Sequence, residues 1–111
     1  MHLEKKHIST KQRIGHLDDA DVFHIATSGG LHMVVAVQKD KGTYRTLGAG
    51  PHIGIARFLA EKAEPNLVVD KLIKSESLSI HEMAAHLPEA RTLTRKLQGE
   101  YPKQWQTMFG K

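Results

Sequence analysis

Residues 31–38 (LHMVVAVQ) are apolar on both parities, with Met33, Val35 and Val37 alternating with Val34 and Ala36. A strand sends successive side chains to opposite faces, so this one needs cover on both sides. Two further runs rich in β-branched and aromatic residues flank it, 21–27 (DVFHIAT) and 43–47 (TYRTL). Ser28-Gly29-Gly30 and Lys39-Asp40-Lys41-Gly42 separate the three, and these are turn residues. The pattern predicts a three-stranded antiparallel β-meander with 31–38 in its centre. Helices, or a second copy of the protein, must supply the cover.

The helices are readable downstream. Gly48-Ala49-Gly50-Pro51 ends the third strand, and Pro51 suits a helix's first turn, giving a helix over 51–64 with Ile55, Phe58, Leu59 and Ala63 on one stripe. Pro65-Asn66 stops it. Val68, Val69, Leu72 and Ile73 then fit a short amphipathic helix, while 67–69 alone also fits a strand. The polar stretch 74–77 (KSES) is the expected hinge. Ser79 and Glu82 form a capping box for a helix over 80–87. Pro88 is expected to open the next helix, with Ala90, Leu93, Leu97 and Tyr101 buried and Arg91, Arg95 and Gln98 polar. Pro102 restarts the chain as a last turn carrying Trp105, Met108 and Phe109, a tail expected to dock on the core or on a partner.

The expected fold is therefore α+β: a three-stranded antiparallel meander packed by a helix, followed by a C-terminal helical hairpin. At 111 residues the chain supports one core and one domain. It divides into a basic N-terminal segment (1–16), a βββα unit with a short helix (17–74) and C-terminal helices (75–111). The absence of cysteine excludes a disulfide scaffold, a cysteine-based zinc site and a thiol nucleophile, and it fits a reducing compartment. The start, MHLEKKH, has no apolar signal region, and the longest apolar stretch covers only 33–37. A cytoplasmic location without membrane contact is expected.

Lys and Arg exceed Asp and Glu by 16 to 12, and the excess lies at the two ends. Residues 1–16 carry Lys5, Lys6, Lys11 and Arg13 against Glu4 alone, and residues 88–111 carry Arg91, Arg95, Lys96, Lys103 and Lys111 against Glu89 and Glu100. Basic ends suit a polyanion such as DNA or RNA, and they also serve as solvated surface. Eight histidines add charge in acid. His81 and His86 stand five apart, about 140° around a helix, so one zinc ion cannot readily take both. No metal and no cofactor is implied.

Three constellations bear on function. Residues 79–97 (SIHEMAAHLPEARTLTRKL) resemble the helix-turn-helix DNA-binding motif. The resemblance implies Ala84 as the small residue between the helices, Met83, Leu87 and Leu97 as core, and Arg91, Thr92, Arg95 and Lys96 as the groove face. The same residues also fit a helical hairpin packed on the sheet. Second, Arg45-Thr46-Leu47-Gly48-Ala49-Gly50 resembles the R/Q-x-x-G-x-G/A element of the GNAT-type N-acetyltransferases. That resemblance implies an anion site at Arg45, Gly48 and Gly50, with backbone amides at a helix N-terminus holding the pyrophosphate of acetyl-CoA. Third, His24 and His32 flank the first hairpin. Pairing Thr27 with Leu31 puts them on one face as diagonal neighbours, and pairing Ser28 with Leu31 separates them. Three function classes follow: a nucleic-acid-binding or regulatory protein using its basic C-terminal helix pair, a non-catalytic protein-interaction module or homodimer, and an acyl-CoA binder.

Overall fold

The computed structural model describes residues 7–71 and 78–100. Its architecture is α+β: a five-stranded antiparallel sheet with two helices. The elements are β1 Ile8–Leu17, β2 Ala20–Thr27, β3 His32–Gln38, β4 Thr43–Gly50, α1 Ile53–Ala63, β5 Val68–Val69 and α2 Ile80–Glu100. The sheet order is β4-β3-β2-β1-β5. The expected meander is present as β2, β3 and β4, with β3 between its two neighbours. The sheet itself is wider than expected by two strands, β1 and β5, both added beyond β2.

The first added strand is β1, which occupies most of the segment read as a basic N-terminal arm. Its early positions, Ser9, Lys11, Gln12 and Arg13, are exposed, and only Ile14, Gly15 and Leu17 are buried. A strand so polar, with register shifts between Ile8 and Thr10 and between Arg13 and Gly15, gives little alternation to read. The Asp18-Asp19 pair makes its turn into β2, with Asp18 at φ 53°, a left-handed value that Asp tolerates. The second added strand is β5, which realises the strand reading of 67–69 and not the helix. It pairs only with Gly15 and His16. A Cβ on Gly15 would lie 1.9 Å from the Val68 carbonyl oxygen, so this pairing needs glycine there.

Both faces of β3 are buried, as its composition demands. On one side Val34 and Ala36 join Ile14, Val22, Leu47, Ile53, Ala56 and Ala60, under α1. On the other, Met33, Val35 and Val37 join Ile25, Tyr44, Ala49 and Leu97. α1 begins at Ile53 with His52 as its N-cap, so Pro51 stands just outside the helix. Its buried stripe is Ile53, Ile55, Ala56, Leu59 and Ala60, while Phe58 is only partly covered and Ala63 is exposed. The helix lies almost on the backbone of β4: a Cβ on Gly48 would come within 2.1 Å of the Ala56 carbonyl oxygen.

The C-terminal half corrects the helical-hairpin expectation. α2 is one helix of 21 residues, continuous through Pro88. The Ser79 half of the capping box forms, with Ser79 Oγ accepting the Glu82 amide N–H at 3.1 Å, while Glu82 Oε1 takes the Ser79 hydroxyl proton at 3.1 Å. Proline costs a helix one hydrogen bond, here to the Ala84 carbonyl. Ala84 and Pro88 are both exposed, so the freed carbonyl lies on the watered side. The opposite side is held by packing: Ala90 with Ile55 and Leu59, supported by Leu87, and Leu97 in the sheet core. That burial outweighs the missing bond, so the chain does not turn. The expected hinge at 74–77 and the tail with Trp105, Met108 and Phe109 lie outside the described residues. Among those described, no helix is long and apolar enough to cross a membrane.

Candidate functional site

α2 is fixed to the sheet by two side chains that serve the outer edge of β4. Thr94 Oγ1 accepts the Ala49 amide N–H at 3.0 Å and donates to the Ala90 carbonyl at 2.8 Å, while Gln98 Nε2 donates to the Thr46 carbonyl at 2.9 Å. An edge strand otherwise presents unpaired backbone groups, and here a helix covers them. With Ala90, Thr94 and Leu97 buried, the rotation of α2 is set, and Arg91, Thr92, Arg95 and Lys96 all face solvent.

The four residues expected to form a groove face thus share an exposed side of a helix, though of one continuous helix and not of the second helix of a pair. Arg91 and Arg95 are one turn apart and stack on the same side. The ion pairs among the described residues, Arg13 with Asp21 and Asp70, Arg45 with Glu64 and Arg57 with Glu61, leave Arg91, Arg95 and Lys96 without a carboxylate partner. Thr92 is committed locally, its hydroxyl donating to the Pro88 carbonyl at 3.1 Å. Sequence reasoning missed Lys62, which closes the other side of the same region. It stands in the last turn of α1, its ammonium 5.6 Å from the centre of the Phe58 ring. Only the packing of α1 beside α2 brings it near Arg91 and Arg95, with which it lines one groove.

The other anion site is not assembled as its resemblance implied. β4 runs through to Gly50, so Gly48 and Gly50 are buried strand residues and not a loop opening a helix. Gly48 pairs with Val34, and the place a ligand would occupy above it is filled by α1. Arg45 projects near the end of α1 and is paired with Glu64 at 3.0 Å. The pyrophosphate cradle is therefore absent at this element.

The histidine question is decided by the hairpin. Thr27 donates its amide N–H to the Leu31 carbonyl at 2.9 Å, Ala26 pairs with His32 and His24 with Val34. This is the register that makes His24 and His32 diagonal neighbours. His24 Nε2 lies 3.0 Å from His32 Nδ1, and the rings stack with centres 5.3 Å apart. One nitrogen must donate and the other accept, so at least one ring is neutral. His24 is buried, and desolvation together with the charge of His32 lowers its pKa to about 4. The pair is a structural fastening between β2 and β3 on the α1 side of the sheet. His86 instead meets His52 edge-on at 5.6 Å, and His81 is exposed. Among the described residues no group of three or more potential ligands is placed to hold a metal ion.

In comparisons with known proteins, the chain matches no family model, no curated protein and no solved structure.

Proposed function

We propose that the protein binds nucleic acid through the exposed side of α2, with Arg91, Arg95 and Lys96 contacting phosphate or base edges and Thr92 flanking them. The observation that carries this reading is the set of three exposed cations within two helical turns, none paired with a carboxylate among the described residues. Unpaired cations on a rigid helix bring a phosphate contact at little cost in ordering, because the backbone is already fixed by the Thr94 and Gln98 bonds. A helix of 21 residues is about 31 Å long and of a width the major groove accepts. Arg91 and Arg95 are the residues suited to guanine edges, and Lys96 acts as a point charge.

The test is a fluorescence-anisotropy titration of the full chain with a mixed-sequence duplex and with single-stranded RNA, across a salt series. Each phosphate contact adds close to 0.9 to the slope of log affinity against log salt on duplex DNA. Replacing Arg91, Arg95 and Lys96 together by Ala is expected to lower that slope by about 2.7. Absence of binding near 50 mM salt, or an unchanged slope in the triple variant, removes the reading.

A further inference from the structure

The groove between α1 and α2 has a composition that the exposed helix face alone does not explain. Its volume is about 400 Å³, inside the range of small-molecule sites, roughly 300–1,000 Å³. Leu47, Leu59 and Ala63 supply apolar carbon, and Lys62, Arg91 and Arg95 supply charge. Among the described residues no carboxylate lines it. The remaining polar lining, Thr94 and Gln98, is already bonded to the β4 backbone, so it holds the walls in place.

We infer that this groove binds a single-chain amphiphile with an anionic head, its carbon chain on Leu47, Leu59 and Ala63 and its head between Arg91 and Arg95. Charge complementarity selects the head: three cations with no acid among the described lining residues favour a carboxylate or phosphate and repel an ammonium. The floor selects the tail, because its aliphatic side chains reward the burial of methylene groups, and the described lining offers no aromatic ring on which a base would stack. Guanidinium forks grip either acid through paired N–H donors. This inference shares Arg91 and Arg95 with the proposed nucleic-acid face but does not rest on that reading, since the ligand is bound in the groove and not along the helix.

Calorimetry of the full chain with decanoate and with decyl phosphate, each below its micelle concentration and without nucleic acid, tests it. Saturable 1:1 binding is expected, with the better of the two heads identifying the acid. Acetate tests the head alone and decyltrimethylammonium the tail alone, and neither is expected to bind. Arg95→Gln is expected to weaken binding about tenfold, the loss of one charge-assisted contact. Ala63→Glu places a carboxylate at an exposed helix end and is expected to abolish binding while circular dichroism stays unchanged. Binding of the ammonium amphiphile as tight as that of decanoate, equal binding by both variants, or no saturable heat from either anion overturns the inference. Because duplex binding is measured separately, failure here leaves the nucleic-acid reading standing, and the reverse holds.

Discussion

Thr94 of α2 reaches across to the edge of the sheet and takes the Ala49 amide N–H at 3.0 Å, in a setting where Thr94 is 7% and Ala49 0% exposed. The same hydroxyl returns its proton to the Ala90 carbonyl at 2.8 Å, a bond within the helix. One oxygen therefore joins the helix that carries the cations to the strand beneath it. Thr94→Val keeps the shape and removes the acceptor, leaving a buried N–H without a partner. Urea unfolding is expected to show a loss of about 1–3 kcal/mol. Thr94→Ser, which keeps the hydroxyl, is expected to recover most of it.

Gly48 and Ala56 set the distance between α1 and the sheet. A methyl at residue 48 would stand 2.1 Å from the Ala56 carbonyl oxygen and 2.9 Å from the Ala60 nitrogen, both of them helix backbone. Backbone cannot swing aside as a side chain would, so the helix must lift and open the cluster of Val34, Leu47, Ile53 and Ala56. Gly48→Ala is expected to destabilise by at least about 2 kcal/mol in chemical denaturation, whereas Gly29→Ala, with only Thr27 Oγ1 nearby at 3.8 Å, is expected to change little.

The contrast between those glycines shows what was legible. Met33 to Val37 announced a doubly covered strand because burial on both faces leaves no polar residue to hide the signal, and the Ser79–Glu82 box announced its helix because capping is local chemistry. β1 was silent: Lys11, Gln12 and Arg13 lie exposed on a strand stabilised by its neighbour, not by its own apolar face. β5 is two residues whose pairing depends on a glycine far away in sequence. Pro88 misled because its local rule was outweighed by Leu87, Ala90 and Leu97 packing on partners that only the fold supplies. For the candidate site, Arg91, Arg95 and Lys96 follow from helical periodicity, while Lys62 joins them only through the packing of one helix beside another.

Stability should depend on pH through His24. Its pKa in the folded protein is about 4, below the ordinary 6.5, because burial and the neighbouring His32 oppose its charge. Above pH 6.5 both folded and unfolded chains hold His24 neutral, and its contribution is fully present. Between pH 6.5 and about 4 the unfolded chain takes up a proton that the folded chain refuses, so stability falls with pH. The gap corresponds to roughly 3 kcal/mol over that window, after which this contribution levels off. Urea midpoints from pH 8 to 4 are expected to show the decline, and His24→Gln to remove this part of it. A His24 resonance titrating near 6.5 by NMR would contradict the account.

Arg13 on β1 ties β2 and the residue that follows β5 together, donating from Nε to Asp21 at 2.9 Å and from an Nη to Asp70 at 3.3 Å. The Asp21 hydrogen bond, followed by Asp70, raises the guanidinium pKa above its ordinary value. All three side chains are substantially exposed, so the network is screened and its worth is small. Arg13→Ala is expected to cost little stability, and the difference from the native chain is expected to shrink as salt rises. Amide exchange at Val68 and Val69 is the more sensitive readout, since β5 is held by only two residue pairs.

Pro88→Ala separates a continuous α2 from two helices joined by a turn. In a continuous helix, alanine restores the missing N–H and its bond to the Ala84 carbonyl, and removes the ring that crowds that carbonyl. Because Pro88 is exposed, no core contact is lost in exchange. The variant is expected to gain stability, by up to about 3 kcal/mol, the difference between proline and alanine in a helix interior. In a helix-turn-helix, proline at the start of a second helix is favourable, and the same substitution would leave stability level or lower it. The sign of one thermal shift therefore decides the shape of the helix on which the cationic face is built. Helicity measured by circular dichroism should stay level or rise with it.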